Sequence, residues 1–508
     1  MNNCKELERL VQLKETDNIK RFGKFFRTKK GFYFYDTGTS KVIRLDEKTF
    51  DVAKKVIEAP DKVDIFDPGQ EKLLDEFLGA VKDNNLFRAY KLERLGTVIH
   101  GEQLESQLGN NLHQIILEVT GVCNLRCGYC IYNETYDGNR NFNSSIMDKN
   151  VAFKAIDYLA VHGGDEVAVT FYGGEPLLQF DMVKECITYA KKKILGKRLS
   201  FSLTTNLTLM TKERAEYFAS VDGLSIVCSM DGPRDIHNSY RKYADGRGTF
   251  DRAFSGLKYL VDAYGDKAEN YISINTVFAP PYTYEKLDEI NEFFSSIEWL
   301  PKDIRIELTY VADGTVDDTD SIKKLMEDSR YLTEQNTFNP LFIWSKRQFS
   351  KGETNGISQS GINSMLLRVH KRNIYNEPIP LYPFNACCVP GARRLYVNTQ
   401  GEFFVCERVG NSPNIGSVFE GVDIEKVRKH YVNSYAEHSS EYCKNCWAIR
   451  MCDRCYVNNY DKDGYKNDHL GKKCKEMQDY VERELIYYHE LLENTPEKLD
   501  YLNDINVI

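Results

Sequence analysis

Glu118-Val119-Thr120-Gly121-Val122-Cys123-Asn124-Leu125-Arg126-Cys127-Gly128-Tyr129-Cys130 is the stretch on which the reading of this chain turns. Its three cysteines follow the apolar run Ile115–Thr120, which has the length of a buried strand. A cubane iron–sulfur cluster takes four ligands, usually thiolates. The Cys-x3-Cys-x2-Cys spacing supplies three, so one iron is left open for something else. The competing reading is zinc or a chance grouping. A structural zinc site wants four protein ligands, usually from paired knuckles, and no fourth Cys or His stands near these three.

Outward from that loop, apolar runs alternate with helical segments. The predicted strands are Ile115–Thr120, Val167–Tyr172, Leu199–Thr204, Leu224–Met230, Tyr271–Phe278 and Ile304–Val311. The predicted helices between them include Lys149–His162, Asp181–Lys193, Lys212–Ala219, Thr249–Tyr264 and Tyr284–Ser295. Such alternation implies parallel β/α units. Six of them suggest an α/β core built as an open, partial (β/α)6 barrel, with its chemistry at the C-terminal ends of the strands. The cysteine loop follows the first strand, which puts it at that mouth.

The cysteine triplet resembles that of the radical S-adenosylmethionine (SAM) superfamily. The resemblance implies that Cys123, Cys127 and Cys130 hold a 4Fe–4S cluster whose open iron is chelated by SAM. An electron then cleaves SAM to methionine and a 5′-deoxyadenosyl radical, which takes hydrogen from unactivated carbon. Tyr129 stands where the family places an aromatic residue against the adenine. Tyr172-Gly173-Gly174-Glu175-Pro176 looks like the family's motif for the SAM amino group. Its glycines would let backbone approach the ligand, and its carboxylate suits an ammonium. Thr204-Thr205-Asn206 and Ser229-Met230-Asp231-Gly232 resemble family segments that line SAM or substrate. Arg241 is the expected partner of the SAM carboxylate, and Asn275 an expected polar contact. Each of these also reads as an ordinary turn or surface residue.

A second cysteine group runs Cys387-Cys388, then Gly401-x4-Cys406, then Cys443-x2-Cys446-x5-Cys452-x2-Cys455, and finally Cys474. This resembles the SPASM domain, which carries two auxiliary 4Fe–4S clusters. One departure is the last pair, spaced x2 where several relatives have x3. The resemblance implies an outer cluster on Cys443, Cys446, Cys452 and Cys474. The inner one falls to Cys388, Cys406 and Cys455. Cys387 is a candidate fourth ligand; otherwise the inner cluster keeps an open iron, a position that a substrate thiolate takes in some relatives. Paired Cys-x2-Cys knuckles also suit a treble-clef or ribbon zinc domain.

Residues 1–103 read as a separate α+β domain. Gly31–Asp36 and Lys41–Leu45 flank a turn, so they form a β-hairpin. Helices over Glu47–Glu58 and Gln70–Asn84 follow. The domain resembles the winged-helix-like PqqD recognition domain, which implies capture of a precursor peptide's leader as an added strand. Such tethering raises the effective concentration of the core peptide at the radical site. A bland extra domain is the alternative. The division expected is thus 1–103 recognition domain, 104–311 partial barrel, 312–385 bridging region and 386–508 SPASM domain, closed by a helix over Cys474–Asn494.

Together these parts resemble maturases of ribosomally made peptides that join a cysteine sulfur to carbon as a thioether. Alternatives on the same scaffold are carbon–carbon or aryl–alkyl cross-linking, or oxidation in the manner of sulfatase-maturing enzymes. An alternative of another class is a non-catalytic, peptide-binding zinc scaffold. A one-electron reductant of flavodoxin or ferredoxin type is the implied partner.

With 508 residues the chain exceeds one ordinary core. Lys and Arg number 67 against 75 Asp and Glu, a net charge of −8, which argues against a nucleic-acid partner. The start, Met1-Asn2-Asn3-Cys4-Lys5-Glu6, lacks the apolar core of a secretory signal. No run reaches about 18 apolar residues, so no membrane partner is expected. A cytoplasmic setting follows, in which most of the 14 cysteines are metal ligands rather than disulfides. Cys4, Cys186 and Cys228 stand alone and read as small buried apolar residues.

Overall fold

The computed structural model describes residues 4–58, 68–133, 141–312, 314–317, 319–328, 330, 339–352, 356–385, 387–409, 412–455, 459–461, 463–466 and 470–505. Its main sheet is built from β4 (Leu112–Thr120), β5 (Gly163–Gly173), β6 (Arg198–Thr205), β7 (Leu224–Ser229), β8 (Ile272–Phe278), β9 (Arg305–Tyr310), β10 (Arg394–Val397) and β11 (Phe403–Phe404). The N-terminal strands β1 (Gly23–Arg27), β2 (Phe32–Asp36) and β3 (Val42–Leu45) form a second sheet.

Strands β4 to β9 pair in parallel and in chain order, as the six expected units require. Period-two alternation decides their faces. On β4, Ile115, Leu117 and Val119 join the core with Val151, Ala155 and Ile156 of the helix Lys149–His162. The opposite face carries polar groups beside the buried Ile116. Gln114 donates to Thr170 on β5 (2.6 Å), and the Thr170 and Ser202 hydroxyls are bonded across β5 and β6 (2.6 Å). Three of the intervening helices start at side-chain caps: Asp148, Thr211 and Thr283 each accept a backbone N–H of the first turn. Isolated Cys186 and Cys228 are fully buried in this core; the Cys4 side chain lies outside what is described.

The sheet exceeds the six expected strands. β10 adds to β4 in parallel and β11 adds antiparallel to β10, giving the order β11-β10-β4-β5-β6-β7-β8-β9. Both come from the segment assigned to the cysteine-rich domain. Leu395-Tyr396-Val397 is too short to declare a strand by periodicity, and only pairing with Ile115–Leu117 makes it one.

The N-terminal sheet contains the expected β2–β3 hairpin plus β1, which the sequence reading missed, as it missed the helix Cys4–Thr16. On one face Phe34 packs with Val52, Val56, Phe77 and Phe87 of that domain. On the other, Phe26, Tyr33 and Tyr35 pack against Trp447, Met451, Val481 and Leu485. The bridging region holds the helices Pro340–Lys351 and Gly356–His370, which pack on the closing helix Leu470–Asn494 through Phe342, Leu366, Tyr487 and Leu491. Among the described residues no helix is long and apolar enough to cross a membrane.

Leu395 is fully buried on β10. Leu395→Ala is expected to cost about 2–5 kcal/mol in urea unfolding of the core, the range for an unrelaxed core cavity. A negligible change would mean that β10 is not part of the packed sheet.

Candidate functional site

The C-terminal ends of β4 to β9 surround a cavity of about 250 Å³, into which Cys123, Cys127 and Cys130 all open. Backbone bonds set the cysteine loop there. Gly174 N–H donates to Thr120 O (2.8 Å) and Glu175 N–H to Val122 O (2.9 Å). From the other side Arg126 N–H reaches Lys242 O and Gly128 N–H reaches Tyr240 O.

The two glycines are explained differently from the expectation. A Cβ on Gly173 would lie 2.2 Å from Thr120 O, and one on Gly174 would lie 2.1 Å from Val122 O. Gly173 also has φ +127°, which other residues avoid. Both line the cavity, but what demands glycine is the close approach of β5 to the cysteine loop. Glu175 is likewise turned inward. Its carboxylate accepts from Leu177 N–H (3.0 Å), Thr205 Oγ1 (2.7 Å) and Asn206 N–H (2.8 Å). Burial raises its pKa, and those three donors oppose the rise. Asn206 donates to Asn124 Oδ1 (2.9 Å) while its own Oδ1 accepts from Thr208. Glu175, Thr205 and Asn206 therefore brace the loop first, and offer a ligand only their remaining lone pairs. Pro176 is buried at the start of the next turn and does not line the cavity.

Charge at the site is concentrated in Arg241. Its Nε donates to Asp231 Oδ2 (3.1 Å), and Tyr129 O–H donates to the same oxygen. Burial pulls the Arg241 pKa down, but Asp231, Tyr129 and Cys127 outweigh it, so the guanidinium stays charged. Among the described residues its two terminal amino groups have no hydrogen-bond partner, and the side chain lines the cavity. Asp231 sits behind it, outside the cavity wall, as an anchor for Arg241 and Tyr129 rather than a lining residue. Ser229 and Asn275 are register partners on β7 and β8 and both line the cavity.

Burial pushes the thiols up, Cys123 to about 12 and Cys127 to about 11; the Glu175 carboxylate adds to the rise at Cys123, and Arg241 opposes it at Cys127. Cys130 is raised too. Such buried thiols become thiolates only against a strong positive charge, which coordinated iron supplies. Three convergent thiols with Arg241 beside them fit a cubane with one open iron. Among the described residues no three His, Cys, Asp or Glu side chains converge on a single-ion position; a cubane instead spreads its ligands over separate irons.

In the second group, Cys443, Cys446, Cys452 and Cys474 line one small cavity, the four thiols expected together. Burial raises Cys443 strongly, Cys446 to about 12 and Cys452 to about 11. Arg454 reaches this set, donating to Cys474 Sγ (3.5 Å) and Asn459 Oδ1 (2.8 Å). The adjacent Cys387 and Cys388 diverge. Cys387 Sγ donates to Arg454 O (3.6 Å), whereas Cys388 opens to a separate cavity beside Arg393 and Arg394. Cys388 and Cys406 both act electrostatically on Arg394, at the start of β10.

The sequence reading missed Glu118 and Tyr132. Tyr132 lines the cavity and donates to Glu118 Oε1 (3.2 Å), whose Oε2 accepts from Thr399 N–H (3.4 Å). A carboxylate inside the otherwise apolar run Ile115–Val119 was the available signal.

Residues 117–294 match the family profile described as the Radical SAM superfamily. The chain is 26% identical over 355 residues to the cysteine-type anaerobic sulfatase-maturating enzyme of Clostridium novyi, covering 67% of this chain and 87% of that one. It is 22% identical over 415 residues to the radical SAM cyclopropyl synthase TigE of Paramaledivibacter caminithermalis, covering 79% and 78%. It spans only 50% and 36% of two further curated relatives that it matches at 30% and 31% identity. The solved structure of native anSMEcpe with bound AdoMet superposes with TM-score 0.52 at 19% identity, covering 78% of this chain and all of that one, a likeness of fold.

Gly174→Ala is expected to displace the cysteine loop and lower bound iron and sulfide by one cluster's worth, read by metal analysis after anaerobic reconstitution. Full wild-type iron in that variant would mean that the crowding at Val122 does not govern the loop.

Proposed function

From the radical SAM domain of residues 117–294 as premise, we propose that this chain modifies a ribosomally made precursor peptide by forming an intrapeptide thioether from a cysteine sulfur to carbon. The observation that carries its radical chemistry is the convergence of Cys123, Cys127 and Cys130 on one cavity at the strand ends. With SAM bound, the cluster supplies the electron that yields a 5′-deoxyadenosyl radical able to take hydrogen from carbon.

The chain's own residues position the reactants. Arg241 offers two terminal amino groups to the SAM carboxylate, a charge-assisted contact held in place by Asp231. Ser229 and Asn275 present polar groups from one level of the sheet. Tyr132, Phe142 and Tyr310 contribute aromatic surface to the cavity wall. Closing a thioether removes two hydrogens. One leaves as an atom to the deoxyadenosyl radical; the other leaves as a proton and an electron.

An auxiliary cluster held by Cys443, Cys446, Cys452 and Cys474, which line one cavity, would supply an acceptor for that electron. Arg394 pairs in register with Gln114, six residues below Thr120 on β4, so Arg394 lies roughly 20 Å along the strand from the end that carries the cysteine loop. A flavodoxin- or ferredoxin-type donor would supply reducing electrons in the cytoplasm.

Support for a peptide substrate comes from the company the chain keeps: a cyclopropyl synthase, sulfatase-maturating enzymes, and a solved form of anSMEcpe holding AdoMet and the Cp18Cys peptide. In the N-terminal domain, β3 pairs among the described residues with β2 alone. Its outer edge suits an added leader strand, in the PqqD manner. A second reading, oxidation in the manner of sulfatase maturation, is favoured by the match over 67% of the chain to such an enzyme.

Reconstituted protein with SAM, a reductant and a cysteine-bearing precursor peptide is expected to release 5′-deoxyadenosine. The product should be two hydrogens lighter and have one cysteine that no longer reacts with iodoacetamide. A lighter product with every thiol still reactive would select oxidation or carbon–carbon bonding instead. Cys127→Ala should release no nucleoside; release by that variant, or zinc without sulfide in the wild type, would end the radical reading.

A further inference from the structure

Five residues separate the outer thiols Cys446 and Cys452: Trp447-Ala448-Ile449-Arg450-Met451. This loop has no strand or α-helix of its own, only the short turn Ile449–Met451. Yet it is the seat of the N-terminal domain. Thr37, at the tip of the β2–β3 hairpin, donates through Oγ1 to Trp447 O (2.8 Å), and Arg450 Nε donates back to Thr37 O (2.9 Å). Trp447 meets Tyr35 edge-on at 5.9 Å and lies under the Lys24 ammonium at 5.8 Å. Trp447, Ala448 and Met451 are buried with Phe26, Tyr33 and Tyr35 in one apolar cluster, against which Cys446 itself packs.

The closing helix Leu470–Asn494 forms a second part of the seat, and Arg372, which donates to Ser40 O (2.9 Å), belongs to a third. Glu493 accepts from Tyr33 O–H (2.6 Å) and from Thr28 Oγ1 (2.8 Å), and Glu482 pairs with Lys24 (2.9 Å). Cys474, in the first turns of this helix, is the fourth thiol of the outer set. The loop and the closing helix, two parts of the docking face, are thus tied to the same four sulfurs.

We infer that the outer cluster fastens the N-terminal domain to the core. Iron gripping Cys446 and Cys452 closes the ends of a loop that has little structure otherwise, and iron on Cys474 fixes the helix beside it. Metal binding here is folding energy for the docking face. The inference rests on the proposed cluster at these four thiols and gives it a task beyond electron transfer. A chain that has lost this cluster keeps an N-terminal domain with its own core around Phe34 and Phe77, but no longer holds that domain in place. Peptide capture then becomes uncoupled from the radical site, because the tether no longer fixes the effective concentration.

Amide hydrogen exchange on the full chain tests this. Tyr375 N–H donates to Thr39 O across the joint (2.9 Å), so it reports docking directly. In Cys443→Ser/Cys446→Ser, iron and sulfide should fall by one cluster, and Tyr375 should exchange about tenfold faster or more. The amides of β4 to β6 should stay protected, which separates undocking from general misfolding. Trp447→Ala keeps all four thiols; it should retain wild-type iron yet show the same faster exchange at Tyr375. Unchanged protection of Tyr375 in the cluster-depleted variant, or in Trp447→Ala, overturns the inference. Wild-type protein without sulfide would instead refute the cluster assignment on which it rests.

Discussion

Two backbone hydrogen bonds, from Gly174 N–H to Thr120 O and from Glu175 N–H to Val122 O, hold the end of β5 against the loop that carries Cys123. Only glycine fits at 173 and 174, because any Cβ would strike the carbonyls of Thr120 or Val122. That contact aims three thiols into one cavity instead of leaving them on a surface turn. Glu175 secures it from beneath by accepting from Thr205 and from Asn206 N–H, which ties β6 into the same corner. Burying this carboxylate is costly, and its three donors offset the cost. The site is preorganised by backbone contacts before any ligand arrives.

Electrostatics follows from that frame. The buried pair of Arg241 and Asp231 carries both charges out of water, which is tolerable only because Tyr129 and Val277 N–H also donate to the Asp231 carboxylate. The arrangement leaves the end of the guanidinium facing the cavity. Around it, burial raises the pKa of the Cys123 and Cys127 thiols. Cluster assembly therefore has to supply the charge that deprotonates them, and the same logic governs Cys443, Cys446 and Cys452.

Much of this was legible in the sequence. Long apolar runs such as Ile115–Thr120 and Val167–Tyr172 have too many β-branched residues to be ambiguous, and all six expected strands form. The four outer thiols were grouped by resemblance, and the structure lines one cavity with them. Less legible was whatever tertiary contact alone creates. Leu395-Tyr396-Val397 becomes a strand only beside β4, and β1, with Phe25 and Phe26 between charged residues, becomes one only beside β2. Roles were harder than positions. Gly173, Gly174, Glu175 and Asn206 lie where the motif put them, yet their first task is bracing the loop. Asp231 and Pro176 stand outside the cavity wall. A linear motif marks which residues gather, but not which of them end up facing the space.

The central claim is an iron–sulfur cluster with one corner free for the sulfonium donor. Electron paramagnetic resonance of the reduced protein, recorded with and without SAM on a variant lacking Cys443 and Cys406 so that auxiliary signals are diminished, addresses it most directly. Our account predicts a cubane signal whose g values shift when SAM is added. A spectrum indifferent to SAM would contradict it.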